Sequence, residues 1–279
     1  MKTKITILCD NIAGLKSPLL GEHGLAMLIE RGREAYLFDT GQGQTLFHNA
    51  ISLGKDLRKA KKIFLSHGHY DHTGGLEKVV SLKGEKDIFV HPHAFLPRFA
   101  VEKGKEHKKR NIGMRISKRT LEEMEGRIHL TDSFKEVAKG IYLTGEIPRI
   151  NSFERGDEDL KIELNGKLVQ DVCLDDQSLV IESRKGLIIL FGCAHAGIVN
   201  TLIYIQEKMD TRKIFALMGG THLNSDGEYR LRETFRYLKD LNFKKLGLSH
   251  CTGMTAVNHL MNLLKERVFI AHTGFTFEV

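Results

Sequence analysis

Four apolar runs in this chain stop at the same kind of residue, and that recurrence constrains the fold more than any other feature. The run 62–66 delivers His67, the run 187–194 delivers His195, the run 214–221 delivers His222, and the run 245–249 delivers His250. In open α/β sheets, sites form outside the carboxyl ends of strands. Four imidazoles carried to strand ends are therefore expected to converge. A single histidine in such a place is usually a satisfied polar residue; four together point to a site.

The remaining runs supply the rest of a mixed α/β architecture. Strands are expected at 5–8, 26–30, 35–38, 63–65, 88–90, 141–143, 214–218, 245–248 and 268–270, with a hairpin of 178–182 and 187–191 turning through 184–186. Helices are expected at 45–53, 200–209, 228–241 and 255–265; the third places Leu231, Phe235, Leu238 and Leu241 on one face. Strands alternate with helices in the second half and cluster as hairpins in the first, which predicts mixed sheets covered by helices.

The 279 residues show no repeat and no Pro/Gly/Ser linker, so one domain over 1–279 is expected. A charged fraction of 28% and a hydrophobic fraction of 41% exclude wholesale disorder, collagen and coiled coil. No apolar run approaches the roughly 20 residues of a membrane span. The apolar stretch 5–8 is too short for a signal-peptide core, so a cytoplasmic location is expected. Cys9, Cys173, Cys193 and Cys251 form no CxxC pair and read as reduced, mostly buried thiols.

Net charge is 42 − 35 = +7, and most of the excess is local. Residues 101–119 hold eight Lys/Arg against Glu102 and Glu106. A nucleic-acid-coated surface is therefore not indicated. This basic insertion, spanning about 101–126, is either a solvated excursion or a flap over a pocket for a small anionic substrate. At its end, Thr120 to Glu123 carries a capping-box pattern that predicts a helix start there.

The strongest local signal is His67-Gly68-His69-Tyr70-Asp71-His72. Imidazole and carboxylate suit zinc and similar divalent ions. Three imidazoles and a carboxylate in six residues exceed what one tetrahedral ion takes from so short a loop. Two ions relieve the geometry, one on His67 and His69, the other on Asp71 and His72. Each then needs a distant ligand, which the strand-end histidines can supply. Gly74 and Gly75 follow, where glycine would let the backbone turn tightly beside the metals.

This motif after an apolar strand resembles the hallmark of the metallo-β-lactamase superfamily, and the resemblance runs along nearly the whole chain. It implies a four-layer αββα sandwich with a dinuclear site at one edge. Asp39 in Asp39-Thr40-Gly41 matches the superfamily's early aspartate, implied to orient the metal loop. His250 matches the late histidine of the second ion, and His195 is chosen as third ligand of the first. A narrower set includes Asp10-Asn11, Glu22 to Leu25, Gly192 to Gly197, Gly219 to Leu223 and Ser249 to Gly253. It is similar to the branch named for 7,8-dihydropterin-6-methyl-4-(β-D-ribofuranosyl)-aminobenzene-5′-phosphate synthase, which implies a pterin and ribose-phosphate connection.

The chain departs from the superfamily pattern in one place. Most members present a His before the hairpin and a metal-bridging Asp after its second strand. Here Asp175 and Asp176 precede the hairpin, and Cys193 and His195 follow it. Asp175 or Asp176 is then a candidate carboxylate, or none bridges, and His222 is an alternative ligand. Cys193 stands near the usual bridging position and reads as a packed thiol, a bound thiolate being the alternative. His23 either faces the site or lies in a surface turn. His91 and His93 read as surface or core residues, and Asn11, Lys16 and Arg149 as anion contacts.

These readings converge on a metal-dependent hydrolase with two divalent ions, zinc favoured over iron or manganese. Such ions hold a water, lower its pKa towards about 7, and turn it on a phosphorus or carbonyl centre. Asp71 and His222 are the expected catalytic residues, His222 stabilising charge or protonating the leaving group. No GxSxG elbow is present, so a covalent acyl-enzyme is not expected. A small phosphoester or phosphodiester is the favoured substrate. A nuclease of the same superfamily and a non-enzymatic metal-bound receptor are the alternatives; no membrane or nucleic-acid partner is expected, and a homo-oligomer is left open.

Overall fold

The computed structural model describes residues 2–15, 17–102, 108–211, 213–223 and 227–279. Lys16, His107 and the centre of the basic insertion, 103–107, lie outside them. In chain order the first half runs β1 (Thr3–Cys9), β2 (Ala26–Arg31), β3 (Glu34–Phe38), α1 (Leu46–Ser52), β4 (Ala60–Phe64), α2 (Tyr70–Thr73), α3 (Leu76–Val80), β5 (Lys86–Val90), β6 (Arg98–Val101), β7 (Lys109–Asn111), α4 (Lys118–Glu123) and β8 (Gly126–Leu130). The second runs β9 (Lys135–Ala138), β10 (Ile141–Leu143), β11 (Leu160–Leu164), β12 (Lys167–Gln170), β13 (Leu179–Ser183), β14 (Gly186–Phe191), α5 (Ile198–Lys208), β15 (Ile214–Gly219), α6 (Glu228–Asp240), β16 (Lys245–Leu248), α7 (Met254–Leu264), β17 (Val268–Ile270) and β18 (Thr276–Glu278).

Two seven-stranded sheets carry the fold, ordered β18-β1-β2-β3-β4-β5-β8 and β17-β16-β15-β14-β13-β10-β9. Each is antiparallel on one side and parallel on the other, the parallel strands being β3, β4, β5 and β8 in the first and β14 to β17 in the second. β14 shows why its sequence reads as an unbroken apolar run. With a period of two, Ile188 and Leu190 face the other sheet while Leu187, Ile189 and Phe191 face the helices. Between the sheets, Ile5, Ile7, Phe38 and Phe64 meet Leu179, Ile181 and Met218. Leu46, Leu76 and Leu121 from α1, α3 and α4 close the outer face of the first sheet, and Leu202, Leu238 and Leu260 from α5, α6 and α7 that of the second. These are four layers, αββα, as the resemblance implies.

A third sheet, β12-β11-β6-β7, is absent from the sequence reading. It recruits the start of the basic insertion (β6) and the segment after 103–107 (β7) as paired strands, so the insertion is no free excursion where it is described. β7 leads directly to the histidine loop. The Tyr70 N–H donates to the Ile112 carbonyl at 2.9 Å, and His69 forms an isolated bridge with Gly113. The helix expected at Thr120 starts earlier. Ser117, in extended backbone, accepts the Thr120 N–H at 3.0 Å, which puts Thr120 inside the first turn. No helix among the described residues is long and apolar enough to cross a membrane.

Candidate metal centre

Strand ends deliver the donors as the sequence predicts, through sharp backbone turns. Asp39, Ala194, His222 and His250, each just beyond β3, β14, β15 or β16, take φ between 48° and 60°. Left-handed backbone at such residues is costly and clusters at functional sites.

His67, His69 and His195 form one triad. Their candidate donor atoms lie within 4.8 Å of one another, and the rings stand 4.5 to 4.9 Å apart. Ser66 Oγ donates to Asp39 Oδ2 at 2.7 Å, which leaves its oxygen to accept from His67 Nδ1 at 2.9 Å. That fixes the His67 tautomer with Nε2 free, 2.9 Å from His69 Nδ1. His195 Nε2 is buried with no partner among the described residues.

Asp71, His72 and His250 form the second triad. His72 Nδ1 donates to Asp39 Oδ2 at 2.7 Å, and His250 Nδ1 donates to Asn11 Oδ1 at 2.9 Å. Both Nε2 lone pairs therefore face inward, 3.2 Å apart. Asp71 Oδ2 stands 3.6 Å from the first and 3.2 Å from the second. Two imidazole nitrogens and a carboxylate oxygen so close call for positive charge between them, a proton on His72 or a divalent ion that replaces it. The donor set, the fixed tautomers and the unpartnered His195 nitrogen together fit divalent ions, one per triad.

The electrostatics divide the same way. Burial, followed by the neighbouring imidazoles, holds His67 and His195 well below the ordinary histidine range, and burial with Arg98 takes His69 to about 4. Burial also opposes charge on His72, yet Asp39 and Asp71 lift it to about 9. Asp71 is buried too, but His72 and His250 hold its carboxyl well below the usual range.

A buried brace supports the loop from behind. Arg98 is fully buried and pairs with Asp175 through both terminal nitrogens at 2.6 and 2.7 Å, and with Asp171 through Nε at 2.6 Å. Asp175 Oδ2 also accepts the Gly68 N–H at 2.7 Å. Asp175 is thereby committed to Arg98 and the loop backbone rather than free to bridge. Gly68 itself admits no side chain, since a Cβ would come within 2.2 Å of the Ala94 carbonyl.

Other expectations need correction. Asn11 and Arg149, read as anion contacts, are both engaged within the fold. Asn11 anchors His250, and Arg149 Nη2 donates to the carbonyls of His195, at 3.2 Å, and Val172. Gly74 and Gly75 have ordinary negative φ, and glycine is needed there because the chain passes Gln42 and Thr40 closely. His23 does face the site, with Nε2 3.7 Å from Asp71 Oδ2. His91 is a core residue, its Nε2 3.2 Å from Glu146 Oε1. The His222 ring lies 4.3 Å from that of His195, tilted by 54°, with Nε2 3.4 Å from Asp157 Oδ2 and Nδ1 unpartnered among the described residues. Burial opposes its charge, but Asp157 and the Cys251 sulfur raise it to about 10.

Sequence reasoning missed Arg98, which looks like the start of the basic run, and Asp157, which lies in a segment without regular periodicity. Ser66 and Asn11 stand in quoted motifs, but their roles as tautomer locks emerge only from the hydrogen bonds.

Comparison with known proteins agrees with this geometry. The family model for the metallo-β-lactamase superfamily matches residues 20–164, just over half the chain. The chain is 34% identical to 7,8-dihydropterin-6-methyl-4-(β-D-ribofuranosyl)-aminobenzene-5′-phosphate synthase of Methanocaldococcus jannaschii, over 97% of this chain and 95% of that one. It superposes on the crystal structure of Tm1679, described as a metal-dependent hydrolase of the β-lactamase superfamily, with a TM-score of 0.84, 26% identity and 99% coverage of both chains. A diphosphatase of the PhnP family shares the fold at 13% identity and a TM-score of 0.55, covering 100% of this chain and 98% of that one. On the family match over more than half of its length and the 34% identity along nearly all of it, the chain belongs to the metallo-β-lactamase superfamily.

Proposed function

We propose that this chain is a cytoplasmic dinuclear hydrolase of small phosphoesters, with His67, His69 and His195 holding one ion and Asp71, His72 and His250 the other. Bound there, two divalent ions, zinc before iron or manganese, supply activated water and a counter-charge for the developing oxyanion. The single observation that carries the reading is the second triad, where two locked Nε2 lone pairs and a carboxylate face one another within 3.6 Å.

The chain's own groups have distinct tasks. Asp39 and Asn11 lock two imidazoles by their Nδ1 atoms, and Ser66 locks a third. His222, held by Asp157, is placed to protonate a leaving oxygen at its free Nδ1. Tyr70 leads out of the site towards positive charge. Its hydroxyl is 3.4 Å from Arg110, and the Arg115 guanidinium lies 5.4 Å from its ring centre. An anionic substrate suits that edge. The name of the 34%-identical relative carries a ribofuranosyl 5′-phosphate, so sugar phosphates are the esters to try first.

The test combines metal analysis with turnover. Protein purified without chelator should hold about two ions per chain. His195→Ala should lower that content. His222→Ala should keep it while cutting turnover of bis(p-nitrophenyl) phosphate and of sugar phosphates about 10²- to 10⁴-fold. No metal after reconstitution, or full loading with no phosphoester turnover, would overturn the reading.

A further inference from the structure

We propose that the Cys193 sulfur is a metal donor shared between the two triads, in the position where other members carry a bridging carboxylate. The proposal rests on the two-ion reading above and adds a ligand to it. Beyond β14 the chain runs in so close that a Cβ on Gly192 would meet Ser66 Oγ at 2.0 Å, and Ala194 then turns it away at φ 54°. Cys193 lies between these two residues, at the innermost point of the excursion.

Its sulfur reaches both sides. Sγ lies 3.1 Å from His72 Nε2. It forms mutually close donor sets, all within 4.8 Å, with His67 and His72, with His195 and His222, and with His250 and Cys251. Members of both triads are therefore within its reach. A thiol that merely fills space has apolar neighbours. Cys193 is 3% exposed and lies close to imidazole nitrogens of His67, His72, His195, His222 and His250. His195 is itself 4% exposed, and its Nε2 has no partner among the described residues.

Of the two carboxylates that could compete, Asp175 is held by Arg98 and Gly68. Asp176 Oδ2 accepts the Ala196 N–H at 2.9 Å, while its Oδ1 is buried without a partner among the described residues. On ligation the thiol proton leaves to solvent, and the sulfur gives one lone pair to each ion. A soft donor at the centre biases the site towards zinc or iron and against manganese.

X-ray absorption at the zinc edge of the full-length, zinc-loaded protein tests this directly. We expect a sulfur shell at about 2.3 Å, averaging one sulfur per zinc because the same atom serves both ions. Cys193→Asp should keep both zincs and lose the shell, and Cys251→Ser should keep both zincs and the shell. Two bound zincs with no sulfur, half a sulfur per zinc, or loss of the shell in Cys251→Ser instead would overturn the shared sulfur while leaving the dinuclear reading intact. Failure of the wild type to bind zinc would overturn both. If the aspartate variant does not fold, the wild-type and Cys251→Ser spectra still decide.

Discussion

The two triads sit side by side but are supported in opposite ways. His67, His69 and His195 are neutral imidazoles within the field of a buried cation, Arg98. Asp71, His72 and His250 are drawn together by negative charge, with Asp39 behind His72. Above pH 6.5 the first triad gives up no proton to accept an ion. The second attracts a cation more strongly, but the ion must displace a proton from His72. Neighbouring donor triads can thus differ in charge and proton cost while drawing on one six-residue loop.

Breaking the brace behind the first triad should have the largest effect. Arg98→Ala leaves Asp171 and Asp175 buried without their cation, and unfolding free energy should fall by about 3–5 kcal/mol. Urea denaturation measures this, and a loss under about 1 kcal/mol would show that the loop is held by something else.

Asp39→Asn sharpens the contrast from the other side. It removes the charge behind His72 and should weaken binding of the second ion about 10- to 100-fold; the first ion should weaken less, through the Ser66 hydroxyl that shares Asp39 and holds His67. Equal weakening of both ions in a competition titration would erase the distinction between the triads.

The pH dependence of metal-free stability separates the triads again. The depressed first-triad histidines stabilise the fold fully above pH 6.5, and that contribution is lost as pH falls, for His69 through about 4. His72 works in reverse: its contribution is complete below 6.5 and is lost as pH rises through about 9. Thermal unfolding of chelator-treated protein should therefore be most resistant near pH 6.5. Asp39→Asn should flatten only the alkaline limb, and a monotonic wild-type profile would contradict the assignment.

The smallest effect serves as a remote control. Ser117→Ala, at the start of α4, should cost about 1 kcal/mol with metal content unchanged.

What the sequence discloses follows from how strongly each part is constrained. Strands such as β14 and β15 are buried on both faces, so they read as continuous apolar runs, and the histidines beyond their ends stand out. The third sheet gives no such signal, because every residue of β12 and β7 is exposed and pairing there rests on backbone bonds. Arg98 is hidden for a different reason. Arginine is ordinarily a surface residue, and the two aspartates that bury it lie more than seventy positions away in the chain. Cys193 shows the limit of analogy with relatives: the resemblance points to the position, and only the surrounding nitrogens say what a sulfur could do there.

The backbone bond from Tyr70 to Ile112 has a consequence for how such proteins diversify. The basic strand β7 with its continuation and the segment that carries the histidines are sewn together, so neither can be exchanged alone. A graft that re-aims the basic strand for a new substrate would also shift the pitch of the histidine loop. Selectivity and metal retention should therefore change together across natural variants, and libraries that randomise 108–116 should be screened for both.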